Sequence, residues 1–240
     1  MKRFIGYVYH RLISIGLATY WVLHRYRIFR VRDSVAQARH DEIVKKIFYE
    51  AGYFDSPDEE LSPEKPGTKY TNFLAIYRGG SVGAISVVES NDRLPVQEFF
   101  NVQLPSDVKI SEVAEITRYV IESKFRVPPN VVSAGLMNSA LLYSRKRKTR
   151  WWIWCGSSYH LLALQSFFSK SIILKQLPLE PQHIAKRVGR EAYFENSRSI
   201  RVVLIDLESI DLLRGTREFL WKIWLRIWYV IFRRKRILKK

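Results

Sequence analysis

The chain has 240 residues, 47% of them hydrophobic and 14% aromatic, which suits one large packed domain and excludes disorder over the whole length. Its 40 Lys and Arg against 23 Asp and Glu leave a formal charge of +17, which implies an anionic partner without choosing among nucleic acid, membrane and acidic protein. The single cysteine, Cys155, excludes an internal disulfide or a cysteine metal cluster and points to a reducing compartment, and the five histidines fall in no metal-ligand spacing.

The first element is a basic, hydrophobic arm over residues 1–25. Phe4 to Leu23 is long enough to span a bilayer, but His10 and Arg11 sit near its centre, where charge is costly. The pair also splits the apolar stretch a secretory signal would need. A helix lying on a surface or docked on a core fits better. No acidic residue precedes Asp33.

A domain is expected over residues 26–210. Tyr26 to Arg32 alternates as a strand, Asp33 and Ser34 offer a cap, and Val35 to Ala51 reads as a helix that Gly52 ends. Ser56 to Lys69, with three prolines and an acidic cluster, reads as a loop. Asn72 to Arg78 and Ser81 to Val88 form a hairpin about Gly79-Gly80. A loop with Leu94-Pro95 leads to a strand over Val113 to Ile121. Pro128 and Pro129 introduce a helix over Val131 to Tyr143. Arg150 to Cys155 is a strand, Ser157 and Ser158 cap a helix over Tyr159 to Phe168, and Ile172 to Leu177 and Ile200 to Leu207 close the sheet. The basic run Arg145 to Arg150 reads as a solvated helix end suited to a membrane or polyanion. This order predicts an α/β (α+β) fold: a mixed, mostly antiparallel sheet with helices on both faces, plus amphipathic helices at the N- and C-termini.

The final element, residues 217–240, sets Trp221, Trp224, Trp228 and Phe232 beside Lys222 and Arg226 and ends in a basic cluster. Trp next to Lys and Arg suits the headgroup region, so an anionic membrane surface is an expected partner. The alternative is a helix packed on the domain or on a second copy.

The hairpin, Leu94-Pro95, and then Glu115-Ile116-Thr117-Arg118 resemble one branch of the GNAT acyltransferase superfamily, that of acyl-homoserine-lactone synthases, long-chain N-acyl amino acid synthases and exosortase-associated acyltransferases. The helix end Phe48-Tyr49-Glu50-Ala51-Gly52-Tyr53 is similar to the aromatic, glycine-containing helix end of the same group, which places Tyr53 beside substrate. The resemblance covers roughly Tyr26 to Leu207. It implies a splayed strand at Glu115, with Glu115 as the base for an attacking amine and Thr117 and Arg118 completing the catalytic set. Glu115 and Arg118 are three apart, so they share a face only if a bulge intervenes; the alternative is a structural ion pair. The family's Arg on the second hairpin strand is Ser86 here, which favours an amino-acid-like amine over the lactone synthase chemistry.

Acetyl-CoA users of the superfamily carry a glycine-rich turn before the third helix. Lys124 to Asn130 holds no glycine and has two prolines. An acyl carrier protein thioester, with no separate cofactor, is therefore the expected donor, docking at Lys124 and Arg126. Trp152, Trp154, Met137 and Leu141 are candidate acyl-pocket residues, with core packing as the alternative. Phe167 stands where acetyltransferases place a proton-donating Tyr; it has no proton to give, and Tyr159 is the substitute. The expected protein is a cytoplasmic acyl-carrier-dependent N-acyltransferase, peripheral on the inner face of the membrane, with no metal. Competing readings are a lactone synthase and a non-catalytic basic protein bound to membrane or nucleic acid; no nucleic-acid-binding signature is visible, so nucleic acid is not an expected partner.

Overall fold

The computed structural model describes residues 26–61, 66–122, 129–157, 171–174 and 200–209. Both terminal arms, the Lys124 and Arg126 turn and the Tyr159–Phe168 segment lie outside the described residues. Among the described residues, seven strands form one sheet in the order β1-β2-β3-β4-β5-β7-β6. They are β1 (Tyr26–Arg30), β2 (Thr68–Tyr77), β3 (Gly80–Ser90), β4 (Val113–Ile121), β5 (Trp151–Ser157), β6 (Ser171–Ile173) and β7 (Ile200–Asp206). Among these described strands only β4 and β5 run parallel; every other neighbouring pair is antiparallel. Among the described residues, the helices are α1 (Ser34–Glu50), α2 (Pro95–Phe100) and α3 (Pro129–Lys146).

Local chemistry sets these boundaries. Asp33 caps α1 by accepting the Ala36 amide at 2.8 Å. At the other end the Tyr53 amide donates to Phe48 O at 2.8 Å and Gly52 to Tyr49 O at 3.0 Å, with Gly52 at φ 76°. This is a Schellman motif, and its usual apolar contact is present: the Tyr53 ring stacks on Phe48 at 4.9 Å. The hairpin turns on Arg78 and Gly79, at φ 50° and 87°, one residue earlier than the glycine pair suggests. Strand β2 also starts at Thr68, inside the stretch expected to be loop, and α2 was not anticipated at all.

Each face of the sheet carries its own core. On one, α3 packs over Tyr26, Phe73, Val87, Ile116, Trp152 and their neighbours. Close approach there depends on small residues: a Cβ on Gly83 would meet Val132 Cγ1 at 2.8 Å and the Val120 carbonyl at 3.0 Å. The opposite face holds two separate apolar clusters. One joins α1 to the sheet through Ile43, Val44, Leu74, Ala84 and Val120. The other packs Leu94, Val96 and Phe100 against Val88, Val113 and Ile153.

Candidate active site

A polar row separates those two clusters. Asn72 on β2, Ser86 on β3 and Thr117 on β4 are register partners in turn, so their side chains share one face of the sheet. Along β3 the same face reads Ala84, Ser86, Val88, with Ala84 in one cluster and Val88 in the other. Fully buried His40 descends on this row from α1.

Next to it, β4 is bulged. Ser86 pairs with Thr117 and Ala84 with Val120, so Ile85 alone faces both Arg118 and Tyr119. Arg118 takes the left-handed conformation, φ 49°, that the extra residue requires. The bulge cancels the alternation of the strand. Glu115 and Arg118 therefore project on the same side: the Glu115 carboxylate meets α2, and the Arg118 guanidinium lies 4.9 Å over the Tyr70 ring, which packs against the same cluster as α2.

Glu115 is 6% exposed, and its Oε2 accepts the Val96 amide at 2.9 Å. Val96 is the second residue of α2, whose Pro95 occupies the first turn, and Gln97 Oε1 accepts the Leu94 amide at 3.1 Å. The Leu-Pro pair and the Glu of β4 are thus one construction: a short helix whose free amide is satisfied by a carboxylate from the sheet. Burial pushes the Glu115 carboxyl up to about 8, against the lowering pull of the Val96 amide and the Arg118 charge. A carboxyl with that affinity is poised to exchange a proton near neutral pH.

The parallel pairing of β4 with β5 runs from Val113↔Trp151 to Ile116↔Trp154 and stops there, although β4 continues to Ile121 and β5 to Ser157. The two strands splay apart just beyond Glu115. On the α3 side of the splay the Tyr119 ring meets Trp154 edge-on at 5.5 Å, and its hydroxyl donates to Ser133 Oγ at 2.6 Å.

The structure brings Glu115, Thr117 and Arg118 together. Trp152, Trp154, Met137 and Leu141 also meet one another, but in the α3-facing core, on the other side of the sheet from Glu115. Trp152 is buried, and its Nε1 donates to Ser144 Oγ at 2.8 Å. Tyr53 forms the C-terminal staple of α1. Lys124, Arg126 and Phe167 lie outside the described residues. The basic run is exposed except for Thr149, with Arg147 Nε donating to Glu89 at 3.1 Å.

Sequence reasoning missed Gln37, His40, Asp41 and Asn72. The signal was present: His40 lies one turn from both Ala36 and Val44, which are buried, so a polar ring occupies the core stripe of α1. Burial alone would raise the Asp41 carboxyl, yet hydrogen bonds from His40 and Gln37, with the charges of His40 and Arg118, outweigh it and hold it low.

No family model matches the chain, and no curated protein matches it. Solved structures do. The CoA-dependent acyl-homoserine lactone synthase MesI superposes with a TM-score of 0.56 at 15% identity, over 80% of this chain and 95% of MesI. FeeM, an N-acyl amino acid synthase from uncultured soil microbes, gives 0.53 at 12% identity, over 77% of this chain and 91% of FeeM. The acyl-homoserine lactone synthase LasI gives 0.51 at 12%, over 76% and 89%. The chain has the GNAT-like fold of these synthases. The splayed β4–β5 pair, the bulge at Arg118 and the polar row beside them lie within the sheet of that fold. Among the described residues no helix is long and apolar enough to cross a membrane.

Proposed function

We propose that the chain is an N-acyltransferase that moves a fatty acyl group from a carrier-protein thioester to an amino-acid-like amine. The observation that carries this is the bulge that sets Glu115 and Arg118 on one face, beside the splay of β4 and β5, in a fold shared with an N-acyl amino acid synthase. The amine nitrogen attacks the thioester carbonyl, a C–N bond forms and the C–S bond breaks. Glu115 takes the proton lost by the amine, directly or through water, and the sulfur leaves with the electron pair to be protonated as the pantetheine thiol. Thr117 and Arg118 order the acceptor, Arg118 by pairing with its carboxylate. Of the three, Glu115 is buried, while Thr117 and Arg118 are half-buried.

The acceptor reading is supported by Ser86. A hydroxyl buried against Asn72 and His40 stands at the hairpin position where the resembled family often carries an Arg. The carrier-protein reading rests on the sequence from Lys124 to Asn130, which contains two prolines and no glycine. A second reading, with acyl-CoA as donor, is favoured by the likeness to MesI, which is CoA-dependent. The basic terminal arms place the protein, in this proposal, on the anionic inner face of the cell membrane, where an N-acyl product can leave into lipid.

The test is direct. Purified full-length protein is given acyl carrier protein or CoA thioesters of matched chain length with a panel of amino acids, and products are read by mass spectrometry. Carrier-dependent N-acyl amino acids are the expected result. Equal use of both thioesters removes the donor assignment, and no N-acyl product with either donor, from protein that is folded, removes the activity.

A further inference from the structure

Charge is distributed unevenly between the two ends of the sheet. The C-terminal end of α3 lies at the joined end of β4 and β5: the Tyr143 hydroxyl donates to Glu89 Oε2 at 2.7 Å, and Glu89 pairs with Ala114, inside the stretch where the two strands still bond. Exposed cations from three elements converge there. Arg30 of β1 lies 5.3 Å over the Tyr143 ring, Lys69 of β2 is the register partner of Glu89, and Lys146, Arg147 and Lys148 follow Tyr143 at the end of α3. The Glu89 carboxylate among them is already engaged by Arg147 Nε at 3.1 Å. The attraction of a helix C-terminus for cations accounts for Lys146, but not for Arg30 and Lys69, which come from strands. The opposite end differs. There Lys46, near the end of α1, is paired with Glu122 just beyond β4, and the loop after α1 exposes Asp55, Asp58 and Glu60.

We propose that the basic end of α3 and its strands is the surface by which the folded domain rests on an anionic lipid bilayer, with Lys69, Lys146 and Lys148 against the headgroup phosphates. Charge complementarity is the first support, since an ammonium donates to a phosphate oxygen and each cation near an anionic surface adds to the attraction. Leu142, 37% exposed, lies one turn before Lys146, so an apolar side chain stands beside the cations, as suits the boundary between headgroups and acyl chains. The path of the chain is the second support. Strand β7 runs toward this end, with Asp206 paired to Trp151, and the Leu207 amide donates to Arg150 O at 2.8 Å. A few residues past Ser209 the sequence enters the 217–240 segment, which has nine Lys and Arg, a single acidic residue, Glu218, and Trp221, Trp224 and Trp228. The acidic loop at the other end is the third, because an anionic surface repels it and the field of the domain then selects one orientation. In that orientation the open end of the β4–β5 splay is turned away from lipid, toward a carrier protein in water. The inference rests on the membrane reading of the terminal arms and is independent of the acyl-transfer reading.

The experiment is co-sedimentation of the full-length protein with vesicles of phosphatidylcholine and phosphatidylglycerol in equal parts. Lys69→Gln, Lys146→Gln and Lys148→Gln together remove three cations that pair with no carboxylate among the described residues. Each is expected to weaken binding about five-fold, and the three together on the order of 100-fold. The same charge removed elsewhere on the fold, by Lys45→Gln, Arg78→Gln and Lys109→Gln, should weaken it by about threefold or less. If the first triple variant does not fold, its single variants are read at about five-fold each. Orientation is read in Cys155→Ser protein carrying one dye. On Lys148→Cys the dye should be quenched by lipids with a nitroxide headgroup, and on Asp58→Cys it should not; any other pattern in bound protein overturns the orientation. Equal binding by wild type and the first triple variant, or equal loss in both triple variants, overturns the surface. Normal vesicle binding with a loss of affinity for acyl carrier protein or for RNA makes these cations a dock for that partner instead. If wild type binds no vesicle, the membrane reading of the arms fails together with this one, whereas a wild type that binds as well as its triple variant removes this inference alone.

Discussion

The Glu115 carboxylate and the Val96 amide, 2.9 Å apart, join the centre of the sheet to the first turn of α2. The contact gives Glu115 two roles of different physical kind. As an acceptor it satisfies a helix amide that would otherwise be buried without a partner, a loss of roughly 1–3 kcal/mol. As a titrating group it holds a proton more tightly than an ordinary carboxyl, because burial disfavours its charge. Substitutions can separate the two, since glutamine keeps the acceptor and discards the proton.

Stability should carry the signature of the raised affinity. The folded-state value is about 8, against an ordinary 4.5. Between these, the unfolded chain has lost the Glu115 proton while the folded chain retains it, so stability falls as pH rises. The contribution is complete below the ordinary value and gone above about 8. Denaturant unfolding of wild type and Glu115→Gln across this window should show the variant gaining relative to wild type by up to roughly 1 kcal/mol per pH unit. Parallel curves would mean that Glu115 titrates normally.

Activity should move the opposite way with pH. The proposed base works only when ionised, so kcat/KM should rise with pH and level off above about 8. Glu115→Gln should lower turnover by roughly 10²–10⁴-fold and abolish that limb, while remaining folded. Glu115→Ala should in addition lose stability, because the Val96 amide is left without its acceptor. A Glu115→Gln protein with a normal rate at every pH reduces Glu115 to the helix partner.

Most of the strand and helix order was legible in the sequence, because alternation, the Asp33 cap and the glycine turn are local signals. The bulge was legible only as a condition: Glu115 and Arg118 could share a face if an extra residue intervened, and no local feature of Glu-Ile-Thr-Arg announces one. Helix α2 escaped because six residues carry no periodicity and its amide partner lies 19 residues on. The buried cluster about His40 escaped for a related reason. Its members, Gln37, His40, Asp41, Asn72 and Ser86, come from three elements and converge only when α1 packs on the hairpin, so no spacing along the chain reveals it.

The end of α1 offers a clean test of a family-like signature that has a structural explanation. Gly52 lies at φ 76°, and a Cβ added there would have no atom within 4 Å, so an added methyl meets strain in its own backbone and nothing else. Gly52→Ala should cost about 1 kcal/mol in denaturant unfolding, with the rate of acyl transfer unchanged in the folded protein. Tyr53→Phe keeps the stack on Phe48 that completes the motif. A large drop in activity for Tyr53→Phe without loss of stability would return Tyr53 to the substrate side.

Arg118 tests the bulge itself. Its left-handed φ of 49° is unfavourable for a residue with a Cβ and costs roughly 1–2 kcal/mol, whereas glycine adopts it freely. Arg118→Gly and Arg118→Ala both remove the guanidinium, its cation–π contact with Tyr70 and its charge beside Glu115. They differ in the backbone: the glycine variant is relieved of strain in the folded state and the alanine variant is not. In unfolding experiments Arg118→Gly should therefore match or exceed Arg118→Ala by up to about 1 kcal/mol, after glycine's larger unfolded-state entropy is subtracted. Both should lose acyl transfer to the same extent, and the loss should appear mainly as a higher KM for a carboxylate-bearing amine. With the Arg118 charge gone, the Glu115 midpoint should rise, moving the kcat/KM limb to higher pH in both variants. Equal stability losses with full activity would make Arg118 a surface contact of Tyr70. A loss of activity in alanine alone would place the function in the strained backbone and not in the guanidinium.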